Sequence, residues 1–285
     1  MPTNSTANGI CWIDLGTPDV EASAAFYTAL LGWDVARADP TGYRLAALHG
    51  HLVAAFGPAD EPGPPYWTIY AATPDADATA RAATTAGGTV VVPPAPAGDA
   101  GVAAVVRGPH GLPLSLWQPG AHLGTCLSGR HGTFAHAELR TDQPAAHADF
   151  LRAVVHWRLD GDLFRHDGEP VARVGPTTGP STSAHWLVHF HVDHLDDAVQ
   201  RALDLGAHAQ PDGSLVDPAG ALFALDPPQG PMSLDARTGQ RRTGLRRGRT
   251  EAHTPPASTS AVSEPPAQLA RMGKTRAVAE SGSTV

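Results

Sequence analysis

The sequence predicts an α+β fold: two tandem domains, each built from two β-α-β-β-β modules, followed by a disordered tail. Three observations carry this. Residues 134–157 lie over residues 10–33 at a constant offset of 124, so that Trp12 meets His136, Asp14 meets Glu138, Thr17 meets Thr141, Phe26 meets Phe150 and Trp33 meets Trp157. Residues 185–207 lie over residues 66–88 at an offset of 119, pairing Trp67 with Trp186, Asp77 with Asp196 and Gly87 with Gly206. The turn GPHG at 108–111 recurs as DPAG at 217–220. Repetition at fixed offsets sets an architecture before any single motif does.

The elements follow in order. Residues 10–15 are an apolar-rich run closed by Gly16-Thr17-Pro18, and a helix then runs to Gly32-Trp33. Thr17 before Pro18 predicts an N-cap with proline at the first helical position, and Asp19 and Glu21 suit the positive end of the helix dipole. Val20, Ala24, Tyr27 and Leu31 share one helical face. Gly32 is placed as the left-handed residue that stops the helix, and Trp33 and Trp157 as core wedges. YRLAALHG and HLVAAFGP are two strands around Gly50, and residues 59–65 (ADEPGPP) are a loop. A second strand–helix unit starts at Tyr66 and ends at Gly87-Gly88; TVVVPP, GVAAVVRG and LPLSLWQP complete the strands. The boundaries are a polar leader at 1–8, a first domain at 9–118, a linker at 119–132, a second domain at 133–235 and a tail at 236–285.

Composition narrows the function classes. Of 285 residues, 42% are hydrophobic, enough for packed cores, and no apolar run approaches the ~18 residues of a membrane span. The first residues carry no basic and apolar leader of the secretory kind. The two cysteines, Cys11 and Cys126, fit a reducing compartment, so the expectation is a cytoplasmic protein. After Asp235 nine basic residues face three acidic ones, whereas 11 arginines face 25 acidic residues over residues 1–235. A body this acidic repels nucleic acid and anionic membranes. The one lysine, Lys274, lies in the tail, so the body has no lysine for a Schiff base or a phosphate grip. The tail, rich in Arg and then in Pro, Ser and Thr, has the composition of disorder. Its QRRTGLRRGR run at 240–249 is either a nucleic-acid-binding arm or a solubilising tail.

The patterns W-x-D-L-x-T-P-D…F-Y…L-G-W, V-A-x-x-G-P, D-A-D-A-T…A-G-G and D-P-x-G resemble the vicinal oxygen chelate superfamily, the glyoxalase, bleomycin-resistance and extradiol dioxygenase group. The nearest likeness is to two-domain actinobacterial members, and it covers residues 9–235. The resemblance implies that two modules pair into a cup-shaped, partly open β-barrel that holds a ligand. Metal-dependent members place ligands at positions that fall here on Trp12, Thr68 and Ser115 in the first domain and on His136, Leu187 and Ala224 in the second. On that mapping the metal triad is absent from the first domain and nearly absent from the second. The superfamily spans lyases, isomerases, dioxygenases and metal-free binders, so fold alone does not give the reaction.

Strand alternation supplies the candidates, since residues two apart share a face. In the first domain Trp12, Asp14, Thr68, Tyr70 and Ser115 face one side, an aromatic wall with one carboxylate suited to a flat organic ligand; the alternative is packed core. In the second, His136, Glu138, His189 and His191 face one side. They suit a Zn²⁺, Fe²⁺ or Mn²⁺ site, or a metal-free acid–base pair of Glu138 and His189, or a structural role. Trp186 and Arg173 are further ligand-binding candidates. The sequence holds no P-loop, G-x-G-x-x-G, G-x-S-x-G or C-x-x-C motif. The expectation is a monomer or homodimer that binds a small hydrophobic or aromatic metabolite. It would transform that ligand without a cofactor, with Asp14, Glu138 and His189 as the catalytic groups, or only sequester it. The alternatives are a divalent-metal enzyme of lyase, isomerase or dioxygenase type centred on the second domain, and a non-enzymatic interaction protein whose cups are closed by core side chains.

Overall fold

The structure, a computed structural model, describes residues 9–59, 64–125, 127–177 and 183–227. The leader, most of the loop expected at 59–65, Cys126 and the Arg-rich tail lie outside the described residues.

The first domain runs β1 (Ile10–Thr17), α1 (Val20–Leu31), β2 (Asp34–Val35), β3 (Arg44–Leu48), β4 (His51–Pro58), β5 (Tyr66–Ala72), α2 (Ala76–Thr85), β6 (Thr89–Pro96), β7 (Gly101–Arg107) and β8 (Pro113–Pro119). The second runs β9 (Phe134–Arg140), α3 (Pro144–Val155), β10 (Arg158–Asp160), β11 (Leu163–His166), β12 (Glu169–Gly175), β13 (His185–His191), α4 (Leu195–Asp204), β14 (His208–Ala209), β15 (Leu215–Val216) and β16 (Leu222–Asp226). Each domain forms one eight-stranded sheet, ordered β2-β3-β4-β1-β5-β8-β7-β6 and β10-β11-β12-β9-β13-β16-β15-β14. The two orders are the same topology. Modules join through antiparallel β1–β5 and β9–β13 pairs, flanked by parallel β1–β4, β5–β8, β12–β9 and β13–β16 pairs.

Alternation along these strands divides the labour. Ile13, Leu15, Trp67 and Ile69 turn outward and join Phe26, Tyr27, Leu31 and Trp33 in a core that continues into Leu139, Phe150, Trp157, Phe190 and Phe223. Tyr27 of α1 sits at its centre, its ring 5.8 Å from Trp33, 5.2 Å from Trp67, 6.0 Å from Phe190 and 5.5 Å from Phe223. One apolar core thus serves both domains, and the faces turned away from it are the two cups.

The helix boundaries follow local chemistry. Gly32 is left-handed (φ 73°) and ends α1 as expected. Its start differs: Asp19, not Thr17, is the N-cap, accepting the Ala22 amide at 2.9 Å. The Thr17 hydroxyl is used otherwise, 2.9 Å from Ser23 Oγ. The same device recurs as Thr73 with Thr79 (2.6 Å) and Thr141 with His147 (2.9 Å). A hydroxyl at the end of a strand pins the second turn of the helix that follows. No described helix is long and apolar enough to cross a membrane.

Candidate active site

The two cups are built on equivalent positions and filled with different chemistry. In the first, Trp12, Tyr70 and Trp117 are 2–6% exposed and Ser115 is 3% exposed. Asp14 is not a bare base. Its Oδ2 accepts the Tyr70 hydroxyl at 2.8 Å and the Tyr43 hydroxyl at 3.0 Å, while Trp12 Nε1 donates to Tyr43 at 3.5 Å. Burial, reinforced by the Asp14 charge, drives both phenol pKa values far up, so each stays a donor. His122 packs edge-on against Trp12 at 4.6 Å, and its backbone carbonyl takes the Trp117 indole proton at 2.9 Å. Burial lowers the His122 imidazole to a pKa of about 4. The hairpin of β6 and β7 brings Ala97 and Ala100, both 0% exposed, against the same cluster. Thr68 stands opposite Asp14 and is only partly buried. Cys11 lies beside this cluster as a free thiol, raised to about 12 by burial.

The second cup replaces each member of that plug. His136 stands for Trp12 and Glu138 for Asp14. His189 stands for Tyr70, and Asp226 for Trp117, because β8 beside β5 has the register of β16 beside β13. Two residues before Leu45, the neighbour of Ala55, the first domain has Tyr43; two before Leu163, the neighbour of Arg173, the second has Gly161. The aromatic plug is gone. The side chains of His136, Glu138, Arg140, His189, Asp212 and Asp226 remain 12–23% exposed.

These groups form a line of alternating charge. Asp212 is 3.5 Å from Arg140, Arg140 3.0 Å from Glu138, and Glu138 Oε2 3.7 Å from His189 Nε2. His189 Nδ1 donates to Asp226 Oδ2 at 3.0 Å, and His136 Nδ1 is 3.3 Å from the same oxygen. The imidazoles stack at 4.1 Å. Burial pushes the His189 pKa down, but the bond to Asp226 and the nearby Glu138 outweigh it, so the net shift is upward. Burial and the neighbouring His189 charge lower His136 to about 4. Burial alone would raise the pKa values of Glu138 and Asp226; His189 and Arg140 hold Glu138 low, and His189 and His136 hold Asp226 low. Of the two imidazoles, His189 is the one held toward its charged form and His136 the one held toward its neutral form.

His136, His189 and Asp226 each offer a donor atom within 4.8 Å of the others, and His189 Nε2 is buried without a hydrogen-bond partner. Two imidazoles and a carboxylate fit a divalent cation with open positions. The expectation that no cofactor is needed therefore finds no support in this donor set. His191 lies outside that group, although it is the register neighbour of Asp226. Arg173, beside Glu138 in register, is held at the rim by Asp162 at 3.2 Å. Trp186 is corrected outright: it faces the shared core, 6% exposed, donating to the Pro113 carbonyl at 2.7 Å. Its neighbours Leu187 and His185, not Trp186, share the face of His189.

Sequence reasoning missed Asp226, Arg140, Asp212, Tyr43 and His122. Asp226 and Arg140 carried a signal. Asp226 lies two residues beyond Ala224 on the same strand face, and Arg140 continues the series of His136 and Glu138.

Residues 9–116 match the family described as "Glyoxalase/Bleomycin resistance protein/Dioxygenase superfamily". Over 236 residues the chain is 34% identical to CFP32 of Mycobacterium bovis, provisionally named a glyoxylase, covering 77% of this chain and 90% of that protein. Over 250 residues it is 35% identical to the "Anthracycline biosynthesis protein DnrV" of Streptomyces peucetius, covering 75% and 91%. The Mn(II)-bound glyoxalase from Novosphingobium aromaticivorans has a similar structure, with a TM-score of 0.54 and 18% identity over 78% of this chain and 82% of that one.

Proposed function

Because the chain belongs to the glyoxalase/bleomycin resistance protein/dioxygenase superfamily, we propose that it transforms a small aromatic metabolite in the second cup alone. One observation carries this reading: positions that are Trp12, Tyr70 and Trp117 in the first cup are His136, His189 and Asp226 in the second. The likeness to a protein of anthracycline biosynthesis supports an aromatic metabolite of secondary metabolism. The first cup is the bracing half, its carboxylate already occupied by two phenols.

His136, His189 and Asp226 would hold the cation. A divalent cation bound there polarises a substrate oxygen as a Lewis acid. Glu138 is the proton acceptor. Arg140 keeps it ionised from one side, and its carboxylate turns toward His189 on the other. Gly175 leaves the space that the Glu138 carboxylate occupies, because a Cβ there would fall on Oε1. Arg173 at the rim meets the outer part of the substrate. A second, metal-free reading rests on the 3.0 Å bond from His189 to Asp226. Asp226 would fix the tautomer of His189, leaving Nε2 to exchange a proton with the substrate or with Glu138. Both readings describe a cytoplasmic enzyme acting as a monomer or homodimer.

Elemental analysis of the tagless chain after mild loading with Mn²⁺, Fe²⁺ or Zn²⁺ separates them. About one equivalent per chain is expected, as for a single site, and none in a His136→Ala/His189→Ala double variant. A wild-type chain that retains no metal sinks the cation reading and leaves the His189–Asp226 pair to be tested by Asp226→Asn.

A further inference from the structure

The two domains differ in the length of one hairpin. The 119-residue offset that pairs Gly87 with Gly206 falls to 109 at the turns of Gly108 and Asp217, so the second domain is ten residues shorter between those points. The ladders place the difference. Thr89 and Val90 pair with Arg107 and Val106, as His208 and Ala209 pair with Val216 and Leu215. Residues 91–105 of the first domain therefore correspond to residues 210–214 of the second, fifteen residues against five.

In the first domain those residues close the cup. At the hairpin tip the Ala97 amide bonds the Gly101 carbonyl at 2.8 Å, and Ala97 and Ala100 are buried in one cluster with Trp12, Tyr70 and Trp117. Gly101 lies against the Trp117 ring, which a Cβ there would approach to 2.7 Å. The tip also anchors the chain that follows β8. The Ala100 carbonyl accepts the amides of Gly120 and His122 at 2.8 and 3.1 Å, and the Asp99 carbonyl accepts that of Ala121 at 2.8 Å. These bonds set the His122 ring against Trp12. In the second domain the five residues make only a tight turn, in which the Gln210 amide donates to the Ser214 carbonyl at 2.8 Å and Gly213 has a φ of 86°. Its inward reach is Asp212, whose Oδ1 takes the Ser214 hydroxyl at 2.7 Å and whose Oδ2 faces Arg140. The sequence supplies no counterpart of residues 97–101, nor of the carbonyls that anchor His122. Trp117 is 2% exposed, whereas the side chain of Asp226 in its place is 23% exposed.

Resting on the reading of the second cup given above, we infer that this opening sets the size of the ligand. It takes a planar molecule of several fused rings. The reacting end lies among His136, His189 and Asp226, and the far rings occupy the space that residues 97–101 fill in the first cup. A single ring ends inside the cup, whereas a longer plate buries more apolar surface on the way out. The turn at 210–214 is then the segment that determines specificity, and it does so by being short.

The test uses phenol and 2-hydroxyanthraquinone, one ring against three, titrated into the full-length chain and followed by NMR. Both are expected to shift the His189 imidazole. Only the three-ring probe is expected to shift the amides of Gln210, Asp212, Gly213 and Ser214, and it should bind at least about tenfold more tightly than phenol, ~1.4 kcal/mol. Replacing residues 210–214 by the sequence of residues 91–105 should leave phenol binding unchanged and bring the two affinities within about twofold of each other. Should that variant not fold, the amide shifts of the wild type decide. A three-ring probe that shifts His189 and leaves the turn amides unmoved overturns this inference alone, as does a folded graft that keeps the preference. Failure of both probes to reach His189 overturns the inference together with the second-cup reading.

Discussion

Gly175 shows how one residue sets the chemistry of another. Its backbone is not among those with a positive φ, so the glycine is not there for conformational freedom. A side chain at 175 would displace the Glu138 carboxylate, and that carboxylate helps to hold the proton on His189. In metal-free protein, Gly175→Ala and Glu138→Gln should both lower the His189 titration midpoint relative to wild type, measured by NMR of the imidazole. The sign follows from removing a negative charge from beside a cation. An unchanged midpoint in both would disconnect Glu138 from His189. At this scale the sequence was half legible. His136, Glu138 and His189 could be named because alternation put them on one face. Asp226 escaped because the family resemblance directs attention to Ala224, one pleat short of it. Tyr43 and His122 escaped for a different reason: neither belongs to the repeated strand–helix units, and only folding brings them onto Trp12.

At the scale of the element, repetition made nearly everything readable. Offsets of 124 and 119 residues foretold two sheets of one topology, and glycines marked the helix ends. The start of α1 was misplaced because a Thr-Pro pair has the form of a cap, whereas Thr17 is committed to Ser23 and leaves capping to Asp19. The repeat also exposes a defect. Gly32 ends α1 at φ 73°, and His156 ends α3 at φ 61°. A left-handed non-glycine residue costs about 1–2 kcal/mol, partly offset by the greater freedom of glycine in the unfolded chain. His156→Gly should therefore stabilise the protein by about 0.5–1 kcal/mol, read from the midpoint of urea unfolding. A destabilised variant would mean that the imidazole makes contacts worth more than the backbone strain.

For the whole molecule, the shared core decides stability, and its one awkward member is Asp217. Burial raises the pKa of its carboxyl above the usual 3.8, against three backbone amides that pull it down. A raised folded-state pKa means that its stabilising contribution is complete below the unfolded value and is lost as pH climbs through the folded one. Asp217→Asn removes that dependence while keeping an acceptor for the amides. Wild type and variant should melt alike near pH 3.5, and the variant should hold a growing advantage as the pH rises toward 7. Parallel Tm-against-pH curves would show that Asp217 is not charged at a cost.

The two faces of each sheet answer to different pressures. Outward residues such as Leu15, Leu139, Trp67 and Trp186 must fit a neighbour across the molecule, and a change in one is felt by both halves. Inward residues answer only to their own cup, and so histidine could stand where tryptophan stood without disturbing the frame. After a duplication the inward set is therefore free to diverge while the outward set keeps the copies recognisable. The family match falls on residues 9–116, the half with the plugged cup. Kinship here is a property of the scaffold, which both halves keep, and a lineage drawn from it records ancestry without recording what each cup holds.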